Sequence, residues 1–200
     1  MSKKEIFLSL LRELRNRAAD AELAEMRIQD AVARVAHYLH DQREQFFQES
    51  RPLSEEQRRI ASRFFSPALL DAVRIVELTH RRLEKPPFYA EANAQGFANL
   101  PDITHMASLT FDDVLVFQQR PVDRVLFHAR VHAVQYRMLG LERYTELFVR
   151  GFVRVGSHFL VPLEAHAFAL DSRFTGNGGS AFSVEAEVLK WISEDRYAID

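Results

Sequence analysis

One largely apolar stretch, from Pro121 to Gly140, constrains the fold of this chain more than any other. Its sequence, PVDRVLFHARVHAVQYRMLG, predicts a helix with little polar surface, which must therefore be buried on most sides. Proline is typical of a helix start and glycine of the position after a helix, so the helix should begin near Pro121 and end at Gly140. His128 and His132 lie four residues apart in it, which places both imidazoles on one face, one turn apart.

Two imidazoles on one helix face can hold a metal ion when a third ligand comes from elsewhere in the chain. The candidate third ligand is Glu164, in the segment PLEAHAFALD, which predicts a later helix opened by a proline. Its carboxylate would lie on an apolar helix face, where burial is costly unless the charge is paired or bound to a cation. Spacing leaves two alternatives equally open: a metal site of His128, His132 and Glu164, or a salt bridge from Glu164 to Arg137 or Arg173.

Composition limits the chemistry that such a site can use. The chain of 200 residues has no cysteine, so disulfides and thiolate metal ligands are excluded and any metal site needs histidine and carboxylate ligands. A net charge of -2, with basic and acidic residues interspersed, gives no indication of a nucleic-acid partner. The sequence also lacks a signal-peptide pattern at its start and an apolar run long enough to span a membrane, so we expect a cytoplasmic protein without a membrane partner.

The order of patterns predicts an α+β fold that is mostly helical, with a small β-sheet. We expect a helical amino-terminal extension over residues 1–66, a metal-site core over 67–175, and a docking helix in 181–200 after a glycine-rich linker at 175–180. Within the core and the carboxy-terminal part, helices are predicted over residues 121–140, 142–155, 162–173 and 183–194. The last helix offers apolar positions for docking, namely Val184, Val188, Leu189, Trp191 and Ile192.

The amino-terminal extension is predicted to begin with one long helix or two consecutive helices over residues 3–49. Asp20 is a candidate break, because its side chain can cap a new helix start. His37 and His40 are interpreted as ordinary packing or surface histidines. The apolar positions recur at helical spacing, and they are Ile6, Leu10, Leu14, Leu23, Met26, Ile28, Val32, Val35, Ala36 and Leu39.

Between the extension and the histidine helix the sequence changes character several times. Ser54 opens a capping box and Ser66 precedes Pro67, so each should start a short helix. A change from helix to strand is predicted near Asp71, an irregular connection over residues 88–104, and one or two strands over residues 105–117, with a hairpin as one alternative.

The two site segments resemble a known enzyme family. FHARVHAVQYRMLGL followed by VPLEAHAFALDSRF is similar to the core of HExxH zinc metallopeptidases of the gluzincin kind, especially uncharacterised bacterial zincin-like proteins with an HELVH-x-x-Q-Y core and a downstream P-L-E-x-x-A helix. LTFDDVLVF resembles the edge strand beside the active-site helix of that fold. The resemblance covers about residues 70–175 and implies zinc held by the two histidines and the glutamate. The matching positions are His128, His132, Gln135, Tyr136 and Glu164.

The match fails at Ala129, where the family pattern has the catalytic glutamate. Alanine cannot act as a general base, a role typically worth 10²–10⁴-fold in rate. We therefore expect a zincin-like pseudoenzyme without catalytic residues, which binds Zn²⁺ and acts either as a structural module or by binding a peptide or protein in the former active-site cleft. Two alternatives remain: a zinc-dependent hydrolase that uses another acid, such as Glu142, Glu146 or Asp171, or a metal-free helical interaction protein with both histidines in its core.

Side chains around the three ligands can also be placed from the sequence. Asp171 follows Glu164 by seven residues on the same helix face, so it could contact a metal ligand. His166, two residues from Glu164, should face elsewhere. His105 and His158, in loops or at strand ends, are candidates for contacts with the site, although a surface position is the favoured interpretation.

Overall fold

The fold is α+β, as predicted. A computed structural model describes residues 3–97, 99–176 and 180–199, with side chains from residue 20 onward in these ranges. The helices there are α1 (Lys3–Phe47), α2 (Glu55–Ala61), α3 (Pro67–Ala72), α4 (Tyr89–Ala94), α5 (Asp123–Leu139), α6 (Leu141–Val155), α7 (Pro162–Gly176) and α8 (Val184–Ser193). The strands are β1 (Arg51–Pro52), β2 (Arg74–Glu77), β3 (Ser108–Phe111) and β4 (Val114–Phe117). None of these described helices is long and apolar enough to cross a membrane.

The four strands form a mixed sheet in the order β1-β2-β4-β3. β2 and β4 are parallel, whereas β1 and β3 each pair antiparallel with their neighbour. The hairpin alternative for residues 105–117 is correct, and Asp112 takes a positive φ of 57° at its tip. The change to strand near Asp71 is also confirmed. β3 is the edge strand beside α5, and the Thr110 hydroxyl donates to the Ala129 carbonyl at 3.1 Å.

α1 is a single helix that continues through Asp20, so the candidate break there is wrong. Its predicted apolar stripe is only partly buried: Leu23 and Met26 are 48% and 60% exposed. His37 and His40 are exposed, as interpreted from the sequence. The described positions of the stripe that are half-buried are Ile28, Val32, Val35, Ala36 and Leu39. Ile6, Leu10 and Leu14 lie outside the described side chains.

Local capping signals predicted the helix starts well. Ser54 forms both hydrogen bonds of the capping box with Gln57, and Ser66 accepts from the backbone of Leu69. The connection over residues 88–104 is not irregular throughout, because it contains α4 and the start of a 3₁₀ turn at 103–105. The predicted linker at 175–180 is partly wrong, since α7 continues to its second residue, while residues 177–179 lie outside the described chain.

α5 passes through the centre of the core, as its apolar sequence predicts. It packs against α6, α7, α8 and the sheet, and ten of its residues are buried. The ring of Phe127 stacks on Phe174 of α7, with 4.5 Å between ring centroids. α8 closes the same core through fully buried Val184 and Val188, but Leu189 is 59% exposed and does not dock.

The aromatic contact between α5 and α7 generates a stability prediction. Phe127→Ala should lower the free energy of unfolding by about 3–5 kcal/mol, because it removes a 1% exposed ring from a packed core. Phe159→Ala is the matched control, since the Phe159 ring is 58% exposed and its loss should cost less than about 1 kcal/mol. Urea unfolding followed by circular dichroism measures both, and equal losses would contradict this account of the core.

Candidate metal centre

α5 and α7 bring the three predicted ligands together. His128 Nε2 lies 3.1 Å from His132 Nε2 and 3.4 Å from the Oε2 atom of Glu164. The third side of the triangle, from His132 Nε2 to Glu164 Oε2, measures 3.3 Å. All three side chains are mostly buried. The two histidines come from one face of α5, and the glutamate comes from the first turn of α7, so this cluster could hold a metal ion.

The triangle has the size that a small tetrahedral ion requires. Ligand atoms about 2.0–2.1 Å from zinc in a tetrahedron lie roughly 3.3–3.4 Å from each other. The observed separations of 3.1, 3.3 and 3.4 Å fall close to this value on every side. Two imidazole nitrogens and one carboxylate oxygen are also a ligand set that zinc accepts. The residues present therefore fit the ion in both chemistry and spacing.

A carboxylate fixes the orientation of the His128 ring. His128 Nδ1 lies 3.1 Å from Asp171 Oδ2, and the other oxygen of Asp171 accepts two hydrogen bonds from Arg124 at 2.9 and 3.0 Å. The carboxylate can only accept here, so His128 donates from Nδ1. In the neutral ring the lone pair is then on Nε2, which points into the cluster. Asp171 therefore contacts one of the candidate metal ligands, His128, as the sequence predicts.

An amide fixes His132 in the same way. Gln135 Nε2 donates to the Leu163 carbonyl at 3.0 Å, which leaves its Oε1 atom 2.8 Å from His132 Nδ1. An amide oxygen only accepts, so Nδ1 of His132 carries the hydrogen and its Nε2 presents a lone pair. The Tyr144 hydroxyl is also 3.2 Å from this Nδ1 atom. When both rings are neutral, each histidine therefore directs an Nε2 lone pair at Glu164.

Without a metal ion, a proton is the cation available to this cluster. Burial lowers the pKa of His128, but hydrogen bonds and charge from Asp171 and Glu164 outweigh burial and raise it to about 9. For Glu164 burial has the opposite effect and raises the pKa. The charge and hydrogen bonds of the two imidazoles outweigh the effect of burial and hold the pKa of Glu164 well below its usual range. At neutral pH His128 is thus doubly protonated, with its Nε2 hydrogen directed at the other two ligands.

The salt bridges considered for Glu164 are absent. Arg137 donates to the carbonyl of Ala68, and Arg173 pairs with Glu187 at 2.6 Å. Glu164 instead faces the two histidines. The sequence alternative of a salt bridge to Arg137 or Arg173 is therefore wrong.

A cavity of about 790 Å³ opens beside the cluster. α1 forms one of its walls, and β3, the segment before β3, α5, α6 and α7 form the others. His128, His132 and Glu164 all line it, at what we call the floor of the cavity. His105 and His158 line the cavity as well, and His105 is exposed, as its surface interpretation predicts, whereas His158 is half-buried.

None of the acids considered as a substitute base is free at the floor. Glu142 and Glu146 are not among the cavity-lining residues, and Glu146 pairs with Arg143 at 2.8 Å. Asp171 lines the cavity, but both of its oxygens already accept hydrogen bonds. Ala129 is fully buried in the hydrophobic core.

The sequence predicted the positions of three side chains near the candidate ligands to different degrees. His166 faces elsewhere, as predicted, and its ring stacks on Trp191 with 3.9 Å between centroids. Arg124 was missed, although it precedes His128 by four residues and thus shares its helix face. Tyr144 was missed too, and no signal in the sequence connects it with His132.

The raised pKa of His128 predicts a pH dependence for the metal-free protein. A folded-state pKa above the unfolded value stabilises the fold fully below pH 6.5, and this stabilisation is lost as the pH rises through about 9. The free energy of unfolding should therefore fall across this window, by on the order of 3 kcal/mol.

Urea unfolding at several pH values, with a chelator present, measures this slope. His128→Gln should flatten it, because the titrating group is removed. His40→Gln, at an exposed position of α1, should leave it as in the parent protein. If the free energy of unfolding of the parent protein instead rose with pH in this window, the protonation of His128 in the metal-free cluster would be contradicted.

Comparisons with known proteins add no assignment. No protein-family model matches the chain, no curated protein matches its sequence, and no solved structure matches its fold. An assignment of function therefore depends on the geometry of the site itself.

Proposed function

We propose that this chain is a zinc-binding protein with a zincin-like metal centre and without conventional peptidase activity. His128, His132 and Glu164 hold the ion at the floor of the cavity. The observation that carries the proposal is the convergence of two imidazole nitrogens and one carboxylate oxygen, 3.1–3.4 Å apart. Such a buried set of electron donors needs a cation between its members.

The choice of zinc rests on the donor set and on the space around it. Zinc accepts two imidazoles and one carboxylate, and three protein ligands leave a fourth position of its tetrahedron for another molecule. The three ligands line the cavity, so a molecule in the cavity can reach that position. When bound, zinc would supply a Lewis acid that polarises an oxygen atom of such a molecule.

Two features support binding without peptide cleavage. Ala129 stands where the resembling metallopeptidases have their general base, and Asp171 is occupied by His128 and Arg124.

Metal content tests the proposal directly. Protein purified without a tag and without added metal should contain about one zinc per chain, as expected for a single three-ligand site. His132→Ala removes a ligand and should lower the zinc content below about a tenth of that value. His37→Ala, on the exposed side of α1, is the matched control and should retain the metal.

Two results would overturn parts of this proposal separately. A parent protein that takes up no metal, even after incubation with zinc, would remove the metal centre and favour the metal-free interaction protein. Cleavage of an unfolded protein substrate such as casein, abolished by a chelator and in His132→Ala, would instead retain the metal centre and contradict the loss of peptidase activity.

The contact from Asp171 to His128 yields a second prediction. Asp171→Asn keeps the size of the side chain but removes the negative charge that strengthens the His128 ring as a ligand. Zinc affinity should fall roughly tenfold, at the low end of the range for such supporting contacts. Competition with a chromophoric chelator measures the affinity, with Asp41→Asn on α1 as control. An unchanged affinity would show that the carboxylate does not support the metal centre.

A further inference from the structure

The shape of the cavity restricts the molecule that it can hold. Its volume of about 790 Å³ lies within the 300–1,000 Å³ typical of small-molecule sites. It follows α1 from Arg27 to Leu39, a distance of roughly 18 Å at the rise of an α-helix. The cavity is therefore long enough for an extended small molecule.

The walls are apolar along much of this length. Side chains from α1, β3, α6 and α7 contribute aliphatic and aromatic surface, namely Val35, Leu39, Phe111, Phe148, Phe152 and Phe168. Polar groups of the metal centre line the floor, whereas the charged side chains of Asp30, Arg34 and Glu91 on the α1 side are paired with one another and are 44–57% exposed. An occupant that matches this distribution has one polar end and a long apolar body.

Charge at the floor selects the polar end. Two carboxylates, Glu164 and Asp171, and one guanidinium, Arg124, line this part of the cavity. A divalent ion on the proposed ligands leaves one positive charge in excess, with both imidazoles neutral. A buried positive charge favours an anionic partner, and oxygen ligands suit zinc. A carboxylate meets both conditions.

We infer that the cavity binds a linear long-chain carboxylic acid, with its carboxylate at the metal centre and its alkyl chain along α1. This inference rests on the proposed zinc site. It assigns the cavity a ligand class that differs from a peptide, because the ligand has a single polar end and an apolar body.

Calorimetry with dodecanoate and with dodecanol, which shares the chain length but has a neutral head, tests the assignment. Zinc-loaded protein should bind one dodecanoate per chain, at least tenfold more tightly than dodecanol. After removal of zinc with a chelator, this preference for the carboxylate should disappear. Zinc content is measured on the same samples, which separates a failure of the metal centre from a failure of the ligand assignment.

Two tryptophan substitutions on α1 test the position of the alkyl chain. Ala31 lines the cavity, so Ala31→Trp fills part of it and should weaken dodecanoate binding at least tenfold. Ala33 is exposed and does not line the cavity, so Ala33→Trp should bind like the parent protein. Circular dichroism and zinc content confirm that both variants retain the fold and the metal.

Each remaining result overturns the inference. Zinc-loaded protein that does not bind dodecanoate, or binds dodecanol equally well, would exclude the carboxylate and leave the zinc site intact. Equal binding by Ala31→Trp and Ala33→Trp would place the alkyl chain outside the cavity. Protein that takes up no zinc would remove the carboxylate assignment together with the metal centre.

Discussion

The site depends on one constraint, which is that three electron-donor atoms lie close together in the protein interior. His128, His132 and Glu164 place two ring nitrogens and an oxygen against one another, largely removed from water. Such donors repel one another unless positive charge lies between them, and the low dielectric of the interior strengthens that repulsion. A proton can meet the requirement only partly, because it has one short bond to give, whereas a divalent ion attracts all three atoms at once.

The surrounding structure keeps these donors in place by using their other hydrogen-bonding groups. Gln135 is the clearest case, since one amide group holds His132 on α5 and the Leu163 carbonyl on α7. Its nitrogen also lies 3.4 Å from the Tyr197 hydroxyl, which contacts His166 at 2.7 Å. The carboxy-terminal segment thus supports the candidate metal ligands through one shared network, although it is not itself part of the cluster.

Sequence reasoning could find the ligands because they follow local rules. Helical spacing placed His128 and His132 on one helix face. Glu164 was a candidate because its carboxylate lies on an apolar helix face, where a charge needs a partner. The capping residues Ser54 and Ser66 were likewise visible, since a cap and its helix lie within a few residues.

The cavity was not visible in the sequence, because distant segments form it. Nothing local shows that α1 crosses α6 and β3, or that Tyr144 reaches His132. Leu23 and Met26 illustrate the same limit: their spacing predicts a buried stripe, yet tertiary packing leaves them exposed. Helical periodicity identifies a face that can be buried, and only the packing of the whole chain decides where it is.

Both aromatic contacts and ion pairs attach the described part of α1 to the rest of the protein. Near its carboxy terminus, the buried ring of Phe46 stacks on Phe111 with 5.8 Å between centroids. Further towards the amino terminus, ion pairs link Glu25 to Arg150 and Arg34 to the segment before β3, and their side chains are 36–50% exposed. Exposed ion pairs contribute about 0.2–1 kcal/mol each, and salt screens them. Ionic strength therefore acts unequally on these contacts, since salt weakens the exposed ion pairs of α1 and leaves the stacked rings of Phe46 and Phe111 unaffected.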